Sequence, residues 1–247
     1  MIVRQTRFYR LAEFFFDEEP ARPRVDIIEH FQRSSPIPGA RCSDFHTIHI
    51  DLTQDAETLF AGLSETCRYK IRRADREDLK PEAWMSAHDE VVDDFIAFFD
   101  RFAREKGFPP ASPERLRALA DAGVLDLSTV SRDDDVLVWH AYLRAGSRAR
   151  LLHSPSLVRE YNDAATPNMI GRANRYLHWH DLLRYQDAGF PLFDFGGWYA
   201  GRKDPELLRI NDFKESFGGQ IASEFHCAVP TSMRGRTVLL GRRLRNR

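Results

Sequence analysis

The sequence predicts a mixed α/β (α+β) fold, in which a largely antiparallel sheet is flanked by helices. Three strand-like runs, separated by short segments with the chemistry of hairpin turns, lie at 124–130, 136–145 and 148–154. A predicted helix at 172–188 leads into an apolar strand at 190–195, which ends at Gly196 and Gly197. Because the three runs follow one another without a helix between them, the pattern does not fit a doubly wound parallel sheet.

Periodicity and end signals predict the remaining elements. Apolar and polar residues alternate over 45–52, which indicates a strand. Ser64 and Ser112 are both suited to cap the helix that follows them, the second with Pro113 in its first turn. The other predicted elements are helices at 53–63, 64–76, 91–106 and from 113 onward, and a strand at 221–229.

These patterns divide the chain into three parts. Residues 1–44 are predicted to be irregular, apart from a short helical pattern at 25–32. The main domain is predicted to span 45–230. The rest, 231–247, is a basic C-terminal tail with six arginines and no acid. We expect the tail to be a solvated, partly disordered arm or a segment that attracts phosphate groups.

Composition limits the class of protein. The chain has 247 residues, of which 43% are hydrophobic and 30% charged, as in ordinary globular proteins with a buried core. Its apolar runs are shorter than the roughly 20 residues of a membrane-crossing helix, and its first residues lack the apolar stretch of a signal peptide. The three cysteines form neither a metal-binding spacing nor an even disulfide set, so we expect a cytoplasmic protein.

A net charge of −1 excludes attraction of polyanions over the whole surface, but one cluster of basic residues stands apart. Arg68, Arg72 and Arg76 recur every four residues and therefore share one face of the predicted helix. The planar guanidinium group suits phosphate oxygens, so Arg68, Arg72 and Arg73 are candidate phosphate ligands. Alternatively, these arginines pair with acidic residues on the same helix and on nearby helices.

Several other catalytic classes lack their motifs here. The sequence contains no HExxH, no paired CxxC and no GxSxG. His46 and His49 point to opposite faces of a strand, and His178 and His180 are about 200° apart around a helix. Neither pair can share a metal ion, so we predict no metal site and no tightly bound cofactor.

Three segments of the sequence carry a family resemblance. The first, 49–78, joins an Asp-Leu strand end to a helix with the pattern Arg-x-x-Ile-Arg-Arg-Ala. The second, 174–197, joins a helix to the strand end Phe-Asp-Phe-Gly-Gly. The third, 213–219, contains Phe-Lys and Phe-Gly-Gly. In this order they resemble the Fem-type branch of the GNAT acyltransferase fold, which includes peptidoglycan aminoacyltransferases (FemAB-like proteins) and BioF2-like acetyltransferase domains.

The resemblance implies a GNAT-like sheet in 45–230 and an N-acyltransferase activity. The enzyme would move an acyl or aminoacyl group from an activated donor to an amine of a small molecule, an amino sugar or a cell-envelope precursor. By the same resemblance Lys214 would face a phosphate or the reacting carbonyl; otherwise it is a surface lysine of a helix. His153, at the end of a predicted strand, is a candidate for the cleft that holds the acyl group.

The glycine pair suggests further site residues. Gly196 and Gly197 would let the backbone approach a ligand closely. Asp194, on the strand before them, would accept a proton or hold the acceptor amine; the alternative is that it anchors the glycine turn. Asn174 lies in the helix of the second segment that carries the family resemblance. Arg172 lies beside the expected start of that helix at Gly171, where free N–H groups would bind an anion.

The donor stays open. Ordinary GNAT enzymes bind the pyrophosphate of acetyl-CoA with a Gln/Arg-x-x-Gly-x-Gly/Ala loop, and the equivalent tract here, 154–172, contains only Gly171. An acyl-CoA, an aminoacyl-tRNA and a carrier-protein thioester are all compatible, with tRNA or a carrier protein as a partner. The rival hypothesis is a non-catalytic GNAT-like module that binds a nucleotide, a glycan or RNA.

Overall fold

The computed structural model describes residues 1–18, 23–133, 135–157 and 165–245, except for the side chains of 243–245. Ten strands and seven helices lie in these ranges. The chain divides into two compact units. One, the terminal unit, combines 1–47 with 222–247, and the other, the central unit, is 48–221.

The terminal unit is built mainly of strands. Its elements are β1 (Ile2–Gln5), β2 (Arg10–Phe15), β3 (Ile27–Arg33), β4 (Arg41–Asp51) as far as residue 47, β10 (Gln220–Pro230) from residue 222, and helix α7 (Met233–Arg245). The strand order is β1-β2-β3-β10-β4. Strand β2 pairs antiparallel with β1 and parallel with β3, and β3 pairs antiparallel with β10.

Residues 1–44 were expected to be irregular, but about half of them lie in these strands. The short helix predicted from the pattern over 25–32 was also wrong, because Ile27–Arg33 is a strand. Strand β3 has a neighbour on each side, and its backbone exchanges hydrogen bonds with both. Long-range pairing of this kind overrides a weak local helical spacing.

The basic tail is not the solvated arm that we expected, since Met233–Arg245 is a helix. Leu239 of this helix is buried in a cluster with Leu11 and Ile27. Arg242 donates a hydrogen bond to the hydroxyl of Tyr9 at 2.6 Å and pairs with Glu29. The arginines of the tail leave one face apolar, and that face binds the helix to the strands.

A disulfide joins Cys42 to Cys227 within the terminal unit. The sequence did not indicate it, because the two cysteines are 185 residues apart and come together only when β4 lies beside β10. Cys67 is free and buried. The cysteine count therefore no longer supports a cytoplasmic location, which stays a prediction.

The central unit carries the antiparallel sheet that the sequence predicts. Its elements, besides the end of β4 and the start of β10, are α1 (Ala56–Gly62), α2 (Glu65–Ala74), β5 (Lys80–Trp84), α3 (Asp89–Lys106), α4 (Pro113–Asp121), β6 (Leu125–Arg132), β7 (Asp135–Ala145), β8 (Arg148–His153), α5 (Ala165–Asp187), β9 (Leu192–Gly197) and α6 (Pro205–Glu215). The strand order is β4-β9-β8-β7-β6-β5. Strands β5 to β8 form an antiparallel meander, and β9 pairs parallel with β8. The predicted fold class is confirmed.

Two elements of the central unit escaped prediction. Strand β5, with Pro81 and few buried residues, has no alternation of apolar and polar positions. Helix α6 is not among the helices expected from periodicity, and it begins at a cap in which Asp204 accepts hydrogen bonds from the N–H groups of Glu206 and Leu207. The predicted caps Ser64 and Ser112 are confirmed.

Helix α5 is the longest helix and the centre of the core. It begins at Ala165, not near Gly171, so Gly171 lies inside it and does not offer a free N–H group at a helix start. Its buried residues, such as Leu177 and Tyr185, pack in one cluster with Phe193 of β9. No helix in the described part of the chain has the length and apolarity that a membrane crossing requires.

Two glycine substitutions test this placement. A Cβ at Gly171 would meet no atom within 4 Å, so Gly171→Ala should raise the free energy of unfolding by about 1 kcal/mol. A Cβ at Gly196 would lie 2.7 Å from the carbonyl oxygen of Leu151, and the φ angle of Gly196 is +68°. Gly196→Ala should therefore lower the free energy of unfolding by about 1–3 kcal/mol. Urea unfolding of both variants measures the difference; a loss of stability in Gly171→Ala would contradict a helix that starts at Ala165.

Candidate functional site

A cavity of about 530 Å³ opens in the central unit where β8 and β9 end. The parallel register pairs Arg148–Arg150 with Leu192–Asp194, and the residues that follow in each strand line the cavity. Helices α5 and α6 supply the rest of its wall. The lining residues are Arg150, Leu151, Leu152, His153, Ser154, Asn174, His178, Phe195, Gly196, Gly197, Glu206, Arg209, Ile210, Phe213 and Lys214.

Half of the site residues predicted from the sequence meet at this cavity. They come from four different elements or their ends: His153, Asn174, Gly196, Gly197 and Lys214. No local signal in the sequence joins these positions; the sheet order brings them together. The predicted roles of the five residues stay predictions.

Lys214 lies on α6 and reaches the end of β9. Its Nζ donates a hydrogen bond to the carbonyl oxygen of Gly197 at 2.5 Å. Burial lowers the pKa of Lys214 to about 8, although the charge of Asp194 acts in the opposite direction. The ammonium group is therefore partly desolvated at the cavity wall and interacts more strongly with a negative charge there than an exposed lysine would.

Asp194 is fully buried and does not line the cavity. Its Oδ1 accepts a hydrogen bond from the N–H group of Gly196 at 2.7 Å, and its Oδ2 accepts one from Arg148 at 3.2 Å. These contacts correspond to the anchoring role that the sequence left open as an alternative. A contact of Asp194 with an acceptor amine stays a prediction.

His153 of β8 and Asn174 of α5 also line the cavity. Burial lowers the pKa of His153 to about 4, so its imidazole is neutral at pH 7. The ring packs edge to face on Phe99, with 4.8 Å between the centroids. The Oδ1 of Asn174 lies 3.0 Å from Nε2 of a second histidine, His140, and accepts a hydrogen bond from Ser154 at 3.4 Å.

The candidate phosphate ligands on α2 are not at this cavity, and they contact other parts of the protein. The guanidinium of Arg68 donates hydrogen bonds to the carbonyl oxygens of Ala61 (2.8 Å) and Leu63, at the end of α1. Arg72 lies over the ring of Phe60, 5.2 Å from its centroid. These contacts stabilise the α1–α2 corner, which is a structural alternative to phosphate binding.

Arg73 and Lys70 of α2 line a second cavity of about 320 Å³, together with Arg172 and the start of α5. Arg172 donates hydrogen bonds of 2.9 and 2.6 Å to the two carboxylate oxygens of Glu77, and Arg73 pairs with the same carboxylate at 3.4 Å. Burial lowers the pKa of Lys70, and the charges of Arg175 and Arg172 lower it further. Part of the predicted tract 154–172, at 158–164, lies outside the described residues.

The sequence did not predict a buried polar network behind the main cavity. Its centre is the carboxylate of Asp181 on α5, which is 1% exposed. Oδ2 of Asp181 accepts hydrogen bonds from the hydroxyls of Ser128 (2.9 Å) and Tyr142 (2.8 Å) and lies 2.8 Å from Nδ1 of His140. Oδ1 accepts a hydrogen bond from Arg184 at 3.1 Å.

Burial alone would raise the pKa of Asp181. Hydrogen bonds from His140 and Tyr142, together with the charges of His140 and Arg184, outweigh burial and hold that pKa below its usual value. Burial and the nearby Asp181 charge raise the pKa of Tyr142 well above its usual value, so the phenol keeps its proton. The network therefore contains an ionised carboxylate whose lone pairs are occupied by protein donors.

His178 connects this network to the cavity. Its ring stacks on that of His140, with 3.9 Å between the centroids and 24° between the planes. Its Nδ1 lies 3.4 Å from the hydroxyl of Tyr142, and the residue lines the cavity next to Asn174. Burial lowers the pKa of His178 well below its usual value, with smaller contributions from the charges of His140, Lys214 and Arg175.

Two spacings in the sequence could have revealed the network. On α5, polar residues recur at Asn174, His178 and Asp181, which places them on one helix face. On β7, His140 and Tyr142 alternate with apolar residues and therefore share one face of the strand. His140 and His178 lie 38 residues apart on different elements, so neither spacing alone indicates that their rings stack.

His140, His178 and Asp181 also have ligand atoms within 4.8 Å of one another, close enough to surround a metal ion. Their geometry favours hydrogen bonding instead. The lone pairs of stacked imidazoles lie in their ring planes and run side by side, whereas a metal needs lone pairs that converge. In addition, Asp181 already accepts hydrogen bonds from protein donors on both oxygens.

No protein-family profile matches the chain, and no curated protein sequence matches it. Solved structures do. The sheet order and the cavity at the ends of β8 and β9 define a GNAT-like fold, and the matching structures identify it as a Fem-type GNAT-like fold. The resemblance inferred from the sequence is thus confirmed for the fold.

FemX matches with a TM-score of 0.61 and 14% identity over 79% of this chain. The chain spans 63% of the length of FemX. L-PGS from Bacillus licheniformis matches with a TM-score of 0.52 and 10% identity, over 88% of this chain and 72% of that one. The C-terminal DUF2156 domain assigned to a lysylphosphatidylglycerol synthetase from Agrobacterium fabrum matches with a TM-score of 0.54 and 12% identity, over 86% and 71%.

Proposed function

We propose that the chain is an N-acyltransferase, which moves an acyl or aminoacyl group from an activated donor to a primary amine in the main cavity. The acceptor would be a small molecule, an amino sugar or a cell-envelope precursor. The name lysylphosphatidylglycerol synthetase, which belongs to a structure of the same fold, supports an aminoacyl group and an envelope acceptor.

The observation that carries this proposal is the position of Lys214. Its ammonium group lies at the cavity wall, next to the glycine pair that ends β9, and is partly desolvated. An acyl transfer develops negative charge on the carbonyl oxygen, and a preorganised cation in a low-dielectric cavity stabilises that charge. His153 and Asn174, which line the same cavity and are uncharged at pH 7, would hold the acceptor and the acyl group without adding charge.

The proposed reaction forms one bond and breaks one. The amine nitrogen attacks the carbonyl carbon of the donor, and the electron pair of the carbonyl moves onto oxygen beside Lys214. When the carbonyl re-forms, the bond from carbon to the donor's ester oxygen or thioester sulfur breaks. The leaving group takes up a proton, and the nitrogen loses one.

The second cavity supports a donor that carries phosphate. Lys70, Arg73 and Arg172 place three basic groups around it, and Glu77 neutralises only part of their charge. An acyl-CoA, an aminoacyl-tRNA and the prosthetic arm of a carrier protein all carry phosphate groups. All three donor classes therefore belong to the proposal, with tRNA or a carrier protein as the partner.

A ligand screen tests the proposed function. We expect one donor class among acetyl-CoA, alanyl-tRNA and an acylated carrier protein to raise the melting temperature and to lose its acyl group to glucosamine. Stabilisation grows with ligand concentration relative to Kd, by about 2.7 kcal/mol at a hundredfold excess. Binding of RNA and phosphorylated sugars alone, abolished by salt and without transfer, would favour the non-catalytic module instead.

A further inference from the structure

His178 has one ring nitrogen that the protein leaves without a partner. Its Nε2 is buried and forms no hydrogen bond with any residue in the described ranges. The aromatic rings of Phe195, Phe213 and Phe217 pack around the His178 ring, and their centroids lie 5.1 to 5.6 Å from the centroid of that ring. A buried imidazole normally uses both nitrogens, so an unused one at a cavity wall needs an explanation.

The neighbouring network fixes the position of the proton on His178. Tyr142 has one hydroxyl proton, and it donates this proton to the carboxylate of Asp181 at 2.8 Å. The Tyr142 oxygen then offers only lone pairs to Nδ1 of His178, 3.4 Å away. That contact is a hydrogen bond only if Nδ1 carries the proton, so Nε2 has a free lone pair.

The residue that carries this lone pair lines the same cavity as Lys214. His178 and Lys214 both line the cavity, and the charge of Lys214 acts on His178 strongly enough to lower its pKa. The Lys214 ammonium is suited to the carbonyl oxygen, and the lone pair of His178 is suited to an N–H group. An acyl transfer to an amine needs both.

We infer that Nε2 of His178 accepts the proton of the attacking amine, with Tyr142 and Asp181 as positioning residues that hold the imidazole in its Nδ1–H form. The inference rests on the proposed acyltransferase function and names the base for it. As the bond from nitrogen to carbon forms, the proton passes from nitrogen to Nε2, and the imidazolium then gives this proton to the departing oxygen or sulfur.

The low pKa of His178 suits this cycle. Burial keeps the imidazole neutral at pH 7, so the base is ready in nearly every molecule. A lowered pKa makes the imidazole a weaker base and its imidazolium a stronger acid than those of an exposed histidine, so the imidazolium returns its proton readily to the leaving group.

The first test examines the proton position without any substrate. In ¹H–¹⁵N spectra of the full-length protein at pH 7, the His178 signals should have the Nδ1–H pattern, with Nε2 unprotonated. Tyr142→Phe removes the oxygen that faces Nδ1 and should shift the tautomer toward Nε2–H. A wild-type His178 protonated on Nε2 overturns the inference, whatever the activity of the chain.

The second test separates proton uptake from the rest of the reaction by comparing two nucleophiles. Both amines lose a proton as the bond to carbon forms, but hydroxylamine is a much weaker base than glucosamine, so its N-protonated adduct is more acidic and can lose that proton to water without His178. With acetyl-CoA and alanyl-tRNA as donors, His178→Gln should lower transfer to glucosamine by about 100-fold or more and should change transfer to hydroxylamine by only a few-fold. His180→Gln, two residues further along the same helix and not part of the cavity lining, is the matched control.

The outcomes distinguish this inference from the proposed function. A wild-type chain that transfers to neither nucleophile overturns the proposed function and the base with it. If the wild type transfers to both nucleophiles and His178→Gln does so at the same rates, the role of His178 is overturned but the proposed function is not. If His178→Gln does not fold, Tyr142→Phe takes its place, with an expected selective loss of glucosamine transfer of about tenfold.

Discussion

Lys214→Ala is expected to lower the rate of acyl transfer by about 10²–10³-fold, the usual cost of one lost donor to a developing oxyanion. The loss should fall on kcat and not on KM, because the negative charge on the carbonyl oxygen exists only in the transition state. Steady-state kinetics with the donor that the screen identifies, and hydroxylamine as the acceptor, measures it. Unfolding should not become easier, since burial of an ammonium group costs free energy.

The same lysine predicts the pH dependence of the reaction. The ammonium form is the active one, and its pKa is lowered to about 8, so kcat should fall as the pH rises through that value. Hydroxylamine is the right acceptor for this measurement, because its own protonation changes little above pH 7. Full activity at pH 9.5 would contradict a role for the Lys214 cation.

Lys203 provides the matched control. It is exposed, precedes the same helix and does not line the cavity. Lys203→Ala should leave kcat within a factor of two or so of the wild type, since exposed charges far from a site contribute little. An equal loss in both variants would mean that the substitution acts through the net charge and not through the cavity.

Asp181→Ala is expected to lower the free energy of unfolding by about 3–5 kcal/mol, the usual cost of removing one partner of a buried ion pair. The substitution removes the acceptor of Ser128, Tyr142 and Arg184 at once and leaves their polar groups in the core. Arg184 is mostly buried, and its charge would then have no counterpart in this network. Urea unfolding at pH 7 measures the change.

The pH dependence of stability follows from the same carboxylate. The pKa of Asp181 is lower in the folded protein than its usual value near 3.8, so the folded state binds fewer protons at acid pH than the unfolded state. Its contribution is therefore complete above about pH 5 and is lost as the pH falls through and below about 4. In Asp181→Asn this part of the acid sensitivity should disappear.

Asp187, at the exposed end of the same helix, is the control for Asp181. Asp187→Ala should change the free energy of unfolding by no more than about 0.5 kcal/mol. A similarly small change in Asp181→Ala would contradict the hydrogen-bond network around it. In that case the tautomer assigned to His178 would lose its physical basis as well.

The sequence predicted the parts of the fold that local chemistry determines. The meander could be predicted because β6, β7 and β8 have strand-like sequences that are joined by turn residues. The helix starts after Ser64 and Ser112 could be predicted because both serines are suited to cap a helix, and both do so. Lys214 and the glycine pair were found because a resemblance to known proteins drew attention to them. Each of these signals lies within about ten residues of sequence.

Features that depend on distant residues escaped prediction. Strand β3 is a strand because β2 and β10 lie on either side of it, not because of its own pattern. The partner of Arg172 is the carboxylate of Glu77, 95 residues away in the chain, which only folding brings near. His178 was set aside because the sequence gives no sign that His140, 38 positions earlier, stacks on its ring.

The bond between Cys42 and Cys227 has a topological consequence. The two cysteines flank the whole central unit, so every residue that lines the main cavity lies on a closed covalent loop. A single cut by a protease anywhere between them would open this loop without releasing a fragment. The nicked chain would keep its original mass, apart from one added water, until a reductant separates the two pieces.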